Sequence, residues 1–354
     1  QVGSVDFIDA VRINVNSSWN SGLTGFGNYT FQTFIHEIGH GLGLGHPGDY
    51  NGSGVTYANN AQFANDTWQT SIMSYWDQSE YAALGTTATF LSSPMVTDWI
   101  ALDDIYNAEG FGVSNAFSGD TIYGNGTNIN SSTSQIFSEF NNWIDDTAFT
   151  LVDGSGTDTL DLSTYANNQT IDLRASEKSS TTLFSSNVAG KIGNLIIAAG
   201  TIIENAFGGG ANETITGNSA NNELKGNGGN DNIDGKEGED TVIFTGNYAD
   251  YTKSASGSSF VIADTRGSTP DGTDTISNVE QYRFADNSYN SAQLLSGDLV
   301  NPTLSNTSPA DNATGVGISS NIVLTFSEAI DVKTGNITIK KTLDNSTIET
   351  IDVS

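Results

Sequence analysis

From Gly208 onward the chain repeats itself every nine residues, and that period leaves few folds open to it. The rows run Gly208–Thr216, Gly217–Lys225, Gly226–Asp234 and Gly235–Ile243. Their sixth positions hold Glu213, Asn222, Asp231 and Asp240, and their eighth positions Ile215, Leu224, Ile233 and Val242. Glycine at the start of a row permits a sharp turn, and one aliphatic residue flanked by polar ones suits a short strand with a single inward side chain. Stacked rows of this kind form a right-handed parallel β-roll. A flexible Gly/Asn linker would not keep an aliphatic residue in register over four rows. Between the rows, glycine carbonyls and sixth-position carboxylates offer hard oxygen ligands, the donor set that calcium takes. The candidate calcium ligands are Gly208, Gly210 and Glu213, then Gly226, Gly228 and Asp231, then Gly235, Glu237 and Asp240. Asn222 brings no carboxylate, so its row is expected to be a weak or empty site.

A second constraint lies near the start of the chain, in His36-Glu37-Ile38-Gly39-His40-Gly41-Leu42-Gly43-Leu44-Gly45-His46, which contains every histidine present. On a helix, His36 and His40 at i, i+4 project from one face. Gly43 lets the backbone leave the helix with a positive φ, and the returning chain brings His46 to a third corner. Three imidazoles with a fourth position left for water are the ligand set of a catalytic zinc. Glu37 points toward that open position, placed to take a proton from the water. Asn28 or Thr30 caps the helix. Phe31, Phe34, Ile35, Ile38 and Leu42 form an apolar stripe turned away from the histidines and toward a core.

Composition narrows the partners. The formal charge of −29 and pI near 4.1 exclude nucleic acid and an anionic membrane surface as partners. Absence of cysteine rules out a disulfide framework and a thiol nucleophile. No apolar run approaches membrane-span length. In a cysteine-free extracellular protein bound metal is the obvious stabiliser, and the carboxylate excess suits calcium loading. With calcium low, the roll is expected to be disordered by repulsion between its carboxylates.

Downstream of the zinc motif comes Ser71-Ile72-Met73-Ser74-Tyr75-Trp76. A long zinc motif followed by a Met-containing turn is the metzincin signature. Pro47-Gly48-Asp49-Tyr50-Asn51 and the Ser-x-Met-Ser-Tyr form of the turn resemble the serralysins, secreted bacterial endopeptidases. The Gly-rich rows resemble the nonapeptide of calcium-binding RTX proteins. The resemblance implies that Met73 is a hydrophobic floor beneath the zinc ligands. It implies that Tyr75 is a fifth, displaceable zinc ligand that then stabilises the tetrahedral intermediate; on the residues alone, Met73 is a core methionine and Tyr75 a surface phenol. Two upstream segments, Ser118–Gly124 and Asp153–Asp161, each join a turn to a carboxylate, and serralysins place further calcium ions at corresponding positions. On that resemblance Asp120, Gly154, Gly156, Asp158 and Glu204 become calcium ligands. It further implies export of a monomer through a type I secretion channel without a cleaved signal peptide, and a proteinaceous inhibitor as a partner. Serralysins carry more sequence before the zinc helix; here only Ala10–Asn16 alternates like one of their strands.

The expected architecture is an α+β metzincin protease domain over residues 1–111, lacking its earlier strands and helix. An all-β calcium-binding parallel β-roll/β-sandwich domain over 112–300 follows, then a partial bacterial Ig-like β module over 301–354, with strands near Asn321–Glu328 and Gly335–Ile339. Residues Asn142–Ala199 are read as antiparallel strands packed on the roll, and Thr241–Phe284 as its closing strands. The expected function is zinc-dependent hydrolysis of extracellular polypeptides, with one catalytic Zn2+ and several structural Ca2+. Extended substrates would pair with an edge strand near Trp19–Gly27, although Trp19 and Leu23 serve equally as core residues. The rival reading is a non-catalytic calcium-dependent surface or adhesion protein with a vestigial zinc site.

Overall fold

The computed structural model describes residues 12–13, 25–179, 182–268, 270–296, 303–310, 313–317, 319–327, 336–341 and 343–352. Most of the Ala10–Asn16 segment and of the Trp19–Gly27 segment lies outside them; Arg12 and Ile13 have no regular structure, and Gly25–Gly27 form a bend. The chain forms two compact units, Gln1–Gly297 and Asp298–Ser354.

The zinc-motif helix α1 spans Tyr29–Gly41, followed by the single turn α2 (Tyr57–Asn60) and by α3 (Val96–Tyr106). Asn28, of the two candidates, is the N-cap: its side chain accepts from Phe31 N at 3.0 Å. Gly43 at φ +97° ends the helix, and Leu44 N turns back to bond Gly39 O at 2.9 Å. The expected apolar stripe is only half right. Ile35 is buried and Phe31 packs on the core, but Phe34, Ile38 and Leu42 are exposed. The buried face runs instead through Gln32, Ile35 and Gly39. Close approach to Met73 decides this orientation, since a Cβ at Gly39 would come within 2.5 Å of Met73 Sδ. A glycine with no hydrophobic weight therefore sets the helix face that the apolar pattern alone places elsewhere.

The strands in chain order are β1 (Phe90–Leu91), β2 (Ile122–Gly124), β3 (Thr147–Leu151), β4 (Thr159–Asp161), β5 (Thr170–Asp172) and β6 (Leu195–Ile197). Then come β7 (Asn205–Phe207), β8 (Thr214–Thr216), β9 (Glu223–Lys225), β10 (Asn232–Asp234) and β11 (Thr241–Ile243). The unit closes with β12 (Tyr251–Ser256), β13 (Ser259–Asp264), β14 (Thr273–Ser277), β15 (Gln281–Arg283) and β16 (Ser288–Asn290). Successive nine-residue rows alternate between two sheets, ordered β12-β13-β14-β10-β8-β5 and β16-β15-β11-β9-β7-β4-β2. Residues eighteen apart thus become neighbours: Ile215 pairs with Ile233 and Leu224 with Val242, in parallel register. The middle residue of each short strand points between the sheets, and Ala206, Ile215, Leu224, Ile233 and Val242 are all buried there.

The Asn142–Ala199 region corrects the sequence reading. Its strands β3, β4, β5 and β6 pair in parallel with their sheet neighbours, and β4 and β5 are rungs of the roll itself. Among the described residues, antiparallel pairing there is limited to the isolated bridges Thr170–Asn187 and Ser186–Leu195. A short strand with one inward residue carries no mark of its direction; the partner two rows away supplies it. The expected closing strands do reverse direction, β12, β13 and β14 forming an antiparallel run and β16 pairing antiparallel with β15.

A small sheet, β1-β3-β6, joins the helical region to the roll. Through it Ala148 and Ile196 enter the core formed by Ile35, Leu44, Ile72, Met73, Leu91 and Met95. Gln32 of α1 accepts from Leu91 N at 2.9 Å, so the zinc-motif helix is tied to β1 directly. In the second unit, β17 (Leu304–Ser308) pairs antiparallel with β18 (Val323–Phe326), and β19 (Asn336–Lys340) with β20 (Thr347–Asp352).

The inward and outward positions of a row should differ sharply in weight. Ile233→Ala is expected to cost about 2–5 kcal/mol, while Thr214→Ala on an exposed strand flank should stay within about 0.5 kcal/mol. Denaturant unfolding in calcium-containing buffer measures both, and equal costs would contradict the two-sheet winding.

Candidate metal centres

His36 and His40 leave α1 one turn apart, and the Gly43 turn returns His46 to meet them. The three Nε2 atoms converge: His40 to His46 is 3.2 Å and His46 to His36 is 3.4 Å. Each Nδ1 faces a backbone carbonyl, His36 that of Ile72 at 2.9 Å, His40 that of Leu44 at 2.9 Å and His46 that of Tyr50 at 2.8 Å. Carbonyls only accept, so each ring carries its proton on Nδ1 and directs the Nε2 lone pair inward. Nitrogens about 2.0–2.1 Å from a tetrahedral zinc stand roughly 3.3 Å from one another, and His46 Nε2 keeps that spacing to both other rings. Among the described residues this is the single group of three His, Cys, Asp or Glu side chains close enough to share an ion. Burial lowers the pKa of His36 and favours its neutral, ligating form. Glu37 is exposed next to His36.

Beneath the histidines, Met73 is buried against Gly39. Tyr75 is half-buried, its ring centroid 4.5 Å from that of His46 and 6.2 Å from that of His36. The turn carrying both is held by Asp98 of α3, a residue the sequence reading passed over. Asp98 Oδ1 accepts from Ser71 Oγ at 2.6 Å, and Oδ2 from Ile72 N at 2.7 Å and Met95 N at 2.8 Å. Since Ile72 O in turn accepts from His36, Asp98 supports the first imidazole through one peptide unit. Complete burial raises its pKa to about 6 despite those three donors.

In the roll, the sixth-position side chains lie over the first glycine of their own row. A Cβ on Gly226 would strike Asp231 Oδ2, one on Gly235 would strike Asp240 Oδ2, and one on Gly208 would come within 2.9 Å of Glu213 Cγ. Asp231 and Asp240 each also accept a backbone amide across the stack: Glu213 N donates to Asp231 Oδ1 at 2.7 Å, and Asn222 N to Asp240 Oδ1 at 2.8 Å. The remaining oxygens, Glu213 Oε1 and Oε2, Asp231 Oδ2 and Asp240 Oδ2, are buried without a hydrogen-bond partner. Unpaired buried carboxylate oxygens cost several kcal/mol each unless a cation meets them, and a hard oxygen set suits calcium. Asn222 differs: its Nδ2 donates to Glu204 O at 2.8 Å and its Oδ1 accepts from Asn218 N at 2.9 Å.

Two further acids continue this ladder. Asp274 Oδ1 accepts from Asp231 N at 2.9 Å, and Glu280 Oε2 from Asp240 N at 2.8 Å. Both sit beyond the nine-residue repeat. A signal was present, because Gly272-x-Asp274-x-Ile276 repeats the Gly229-x-Asp231-x-Ile233 end of a row after a long insertion. Upstream, Glu204 Oε2 accepts from Asp158 N at 2.7 Å, and buried Asp158 accepts from Thr121 N at 2.8 Å. A Cβ on Gly156 would strike Gly119 O and come within 2.9 Å of Asp158 Oδ1, and one on Gly154 would strike the carbonyls of Ser114 and Ala116. Asp120 is exposed and accepts from Thr157 N at 3.0 Å. Gly210 and Gly228 stand at turns beside these rows, the latter facing Pro270 O, whereas the Glu237 side chain points to solvent. Burial, reinforced by neighbouring acids, raises Asp274 to about 8 and Asp240 to about 7, and moves Glu213, Asp231 and Asp158 upward as well.

Comparison with known proteins agrees in all three regions. A family model described as Peptidase M10 serralysin C terminal matches residues 114–293. A bacterial Ig-like domain model matches 298–354, and a reprolysin-like model of metallo-peptidase family M12B matches 1–97. The metallopeptidase AprA of Pseudomonas marginalis is 41% identical over 53% of this chain and 37% of its own length. Serralysin C of Dickeya chrysanthemi is 39% identical over 57% of this chain and 39% of its own, and serralysin of Proteus mirabilis 38% identical over 53% and 35%. The matched region therefore spans less than two fifths of these relatives.

A carboxyl whose folded pKa lies above its unfolded value weakens the fold once pH exceeds the unfolded value, and the loss is complete above the folded one. In chelator, stability should therefore fall as pH rises from about 4 to about 8, and calcium should reverse the trend. Melting temperatures across that range, with calcium and with chelator, test this; parallel curves would count against cation sites. Asp98→Ala leaves three buried donors unpaired and is expected to cost about 3 kcal/mol or more, read by urea unfolding in saturating metal.

Proposed function

The chain belongs to the serralysin family of metallopeptidases, and from that premise we propose that it is a secreted, zinc-dependent endopeptidase whose roll is held by calcium. The observation that carries the reading is the convergence of three Nε2 atoms, that of His46 lying 3.2 and 3.4 Å from the other two, with every Nδ1 engaged by a carbonyl. His36, His40 and His46 are the zinc ligands in this reading. Zinc, when bound, polarises the scissile carbonyl and lowers the pKa of a water toward neutrality.

The chain's own groups do the rest. Glu37 accepts the proton of the attacking water and delivers it to the leaving amine. Tyr75, within reach of His46, donates its hydroxyl to the carbonyl oxygen as negative charge develops there. Met73 seats the zinc helix from below and takes no part in proton transfer. A cysteine-free chain with a water-activating carboxylate requires no covalent intermediate. Extended polypeptides are the substrates.

Calcium is assigned to the rows whose sixth positions are Glu213, Asp231 and Asp240, with their glycines Gly208, Gly210, Gly226, Gly228 and Gly235, and to the Asp120, Gly154, Gly156, Asp158 and Glu204 cluster. Asp274 and Glu280 join as closing ligands. The orphaned oxygens of Glu213, Asp231 and Asp240 support occupancy at the millimolar calcium outside cells, and hence an extracellular site of action. The proposed division is residues 1–111 for the protease region, 112–300 for the roll and 301–354 for the Ig-like module.

Cleavage of an unfolded protein such as casein, blocked by phenanthroline and restored by zinc, is the expected result. Glu37→Gln should lower the rate by about 10²–10⁴ while one zinc per chain is retained. Zinc bound without cleavage, with Glu37→Gln behaving as the unaltered chain, would instead favour a calcium-dependent surface protein.

A further inference from the structure

His46 is the ligand that α1 does not hold. His36 and His40 inherit their separation from the helix, whereas His46 follows two glycines and precedes a proline, in Gly43-Leu44-Gly45-His46-Pro47. Something outside the helix has to fix its ring, and one residue contacts that ring twice and is itself anchored. Tyr50 accepts from His46 Nδ1 through its backbone carbonyl at 2.8 Å. Its phenol ring stacks on the imidazole, with centroids 5.3 Å apart and planes inclined by 8°. Its hydroxyl donates to Asp66 Oδ1 at 2.9 Å, in the interior. Asp66 is buried and begins the segment that leads directly into the Met73 turn.

The same phenol ring touches the other side of the site. Its centroid lies 5.0 Å from that of Tyr75 and 4.4 Å from that of Trp76. Gly48 makes room for it, since a Cβ there would come within 2.7 Å of Tyr50 Cε1. The ring is thus wedged between the third imidazole and the Met-containing turn, and its hydroxyl is pinned at the far end.

We propose that Tyr50 and Asp66 form a positioning pair: the Asp66 carboxylate anchors the Tyr50 hydroxyl, and the anchored ring fixes both the plane of His46 and its distance from Tyr75. Neither residue touches the reacting atoms. The pair acts on metal affinity and on the placement of Tyr75, and outer groups of this kind are worth about 10–100-fold in metal affinity. The inference rests on the zinc reading of the three histidines.

Zinc dissociation constants of the full chain, measured in calcium by competition with a chromophoric chelator, test it. The unaltered chain should bind one zinc, and His46→Ala sets the scale of a lost ligand. Tyr50→Ala should weaken zinc by about 10–100-fold. Tyr50→Phe keeps the stacked ring and loses the anchor, and Asp66→Leu removes the anchor's acceptor; both should give a smaller, similar loss. The double variant should be no worse than either single one, because both delete the same bond. Asp66→Asn still accepts from the phenol and should restore near-normal affinity. The visible spectrum of the cobalt-substituted protein should shift in Tyr50→Phe and return in Asp66→Asn, a change that a general loss of stability would not produce. Circular dichroism identifies any variant that fails to fold, and Tyr50→Phe, the mildest change, then carries the test. Unchanged zinc affinity and cobalt spectrum in folded Tyr50→Phe and Asp66→Leu would overturn the pair. An unaltered chain that binds no zinc would instead remove the zinc reading itself, and the pair with it.

Discussion

Carboxylates buried between the rungs of the roll, with oxygens that no protein donor meets, are the constraint from which the rest of this chain follows. Glu213, Asp231 and Asp240 each give up hydration to lie over a row-opening glycine, and four of their oxygens have no partner. A stack of short strands, each contributing one inward aliphatic residue, buries too little apolar surface per residue to absorb that cost alone. In the proposed reading, divalent cations resolve the imbalance and turn binding free energy into folding free energy. The acidic composition, the lack of cysteine and the glycine content are then consequences of one stabilising device.

That device reaches the zinc site through defined contacts. The separate sheet β1-β3-β6 has β1 beside α1, while Phe149 and Leu151 of β3 and Leu195 and Ile197 of β6 join the hydrophobic core of the roll. Gln32 of α1 holds Leu91 of β1, and Leu91 pairs with Ala148 of β3. Nearer the catalytic turn, buried Gln69 donates to Gly193 O at 2.7 Å, a contact between the segment preceding Met73 and the loop before β6. The helix bearing two of the three imidazoles and the turn beneath them are therefore both braced against the strand-rich half of the unit.

At the site itself, positions and orientations have separate origins. The helical spacing sets His36 and His40, while carbonyls from three different segments, Ile72, Leu44 and Tyr50, set the tautomer of every ring. Asp98 and Asp66 stand one step further out and tie that shell to α3 and to the Met-containing turn. Aromatic packing of Tyr50 between His46, Tyr75 and Trp76 joins the third ligand to the residue expected to meet developing charge.

Much of this is written along the chain, because it depends on spacing. A nine-residue period with an aliphatic eighth position determines a two-sheet roll, since eighteen residues make one full turn and the inward residues can only stack. Three histidines at i, i+4 and i+10 determine a ligand cluster once a glycine lets the backbone reverse. Direction and orientation are not matters of spacing. Whether β4 and β5 run parallel to their neighbours depends on partners two rows away, so the sequence suggested an antiparallel layer where the roll already begins. Which face α1 buries depends on how closely Met73 can approach Gly39, so Phe34, Ile38 and Leu42 are exposed despite their apolar spacing. Asp274, Glu280, Asp98 and Asp66 act across 16 to 43 residues of chain, and no local pattern assigns them a partner. Short-range geometry is thus determined by the sequence alone; contacts between distant segments exist only once the whole chain has packed.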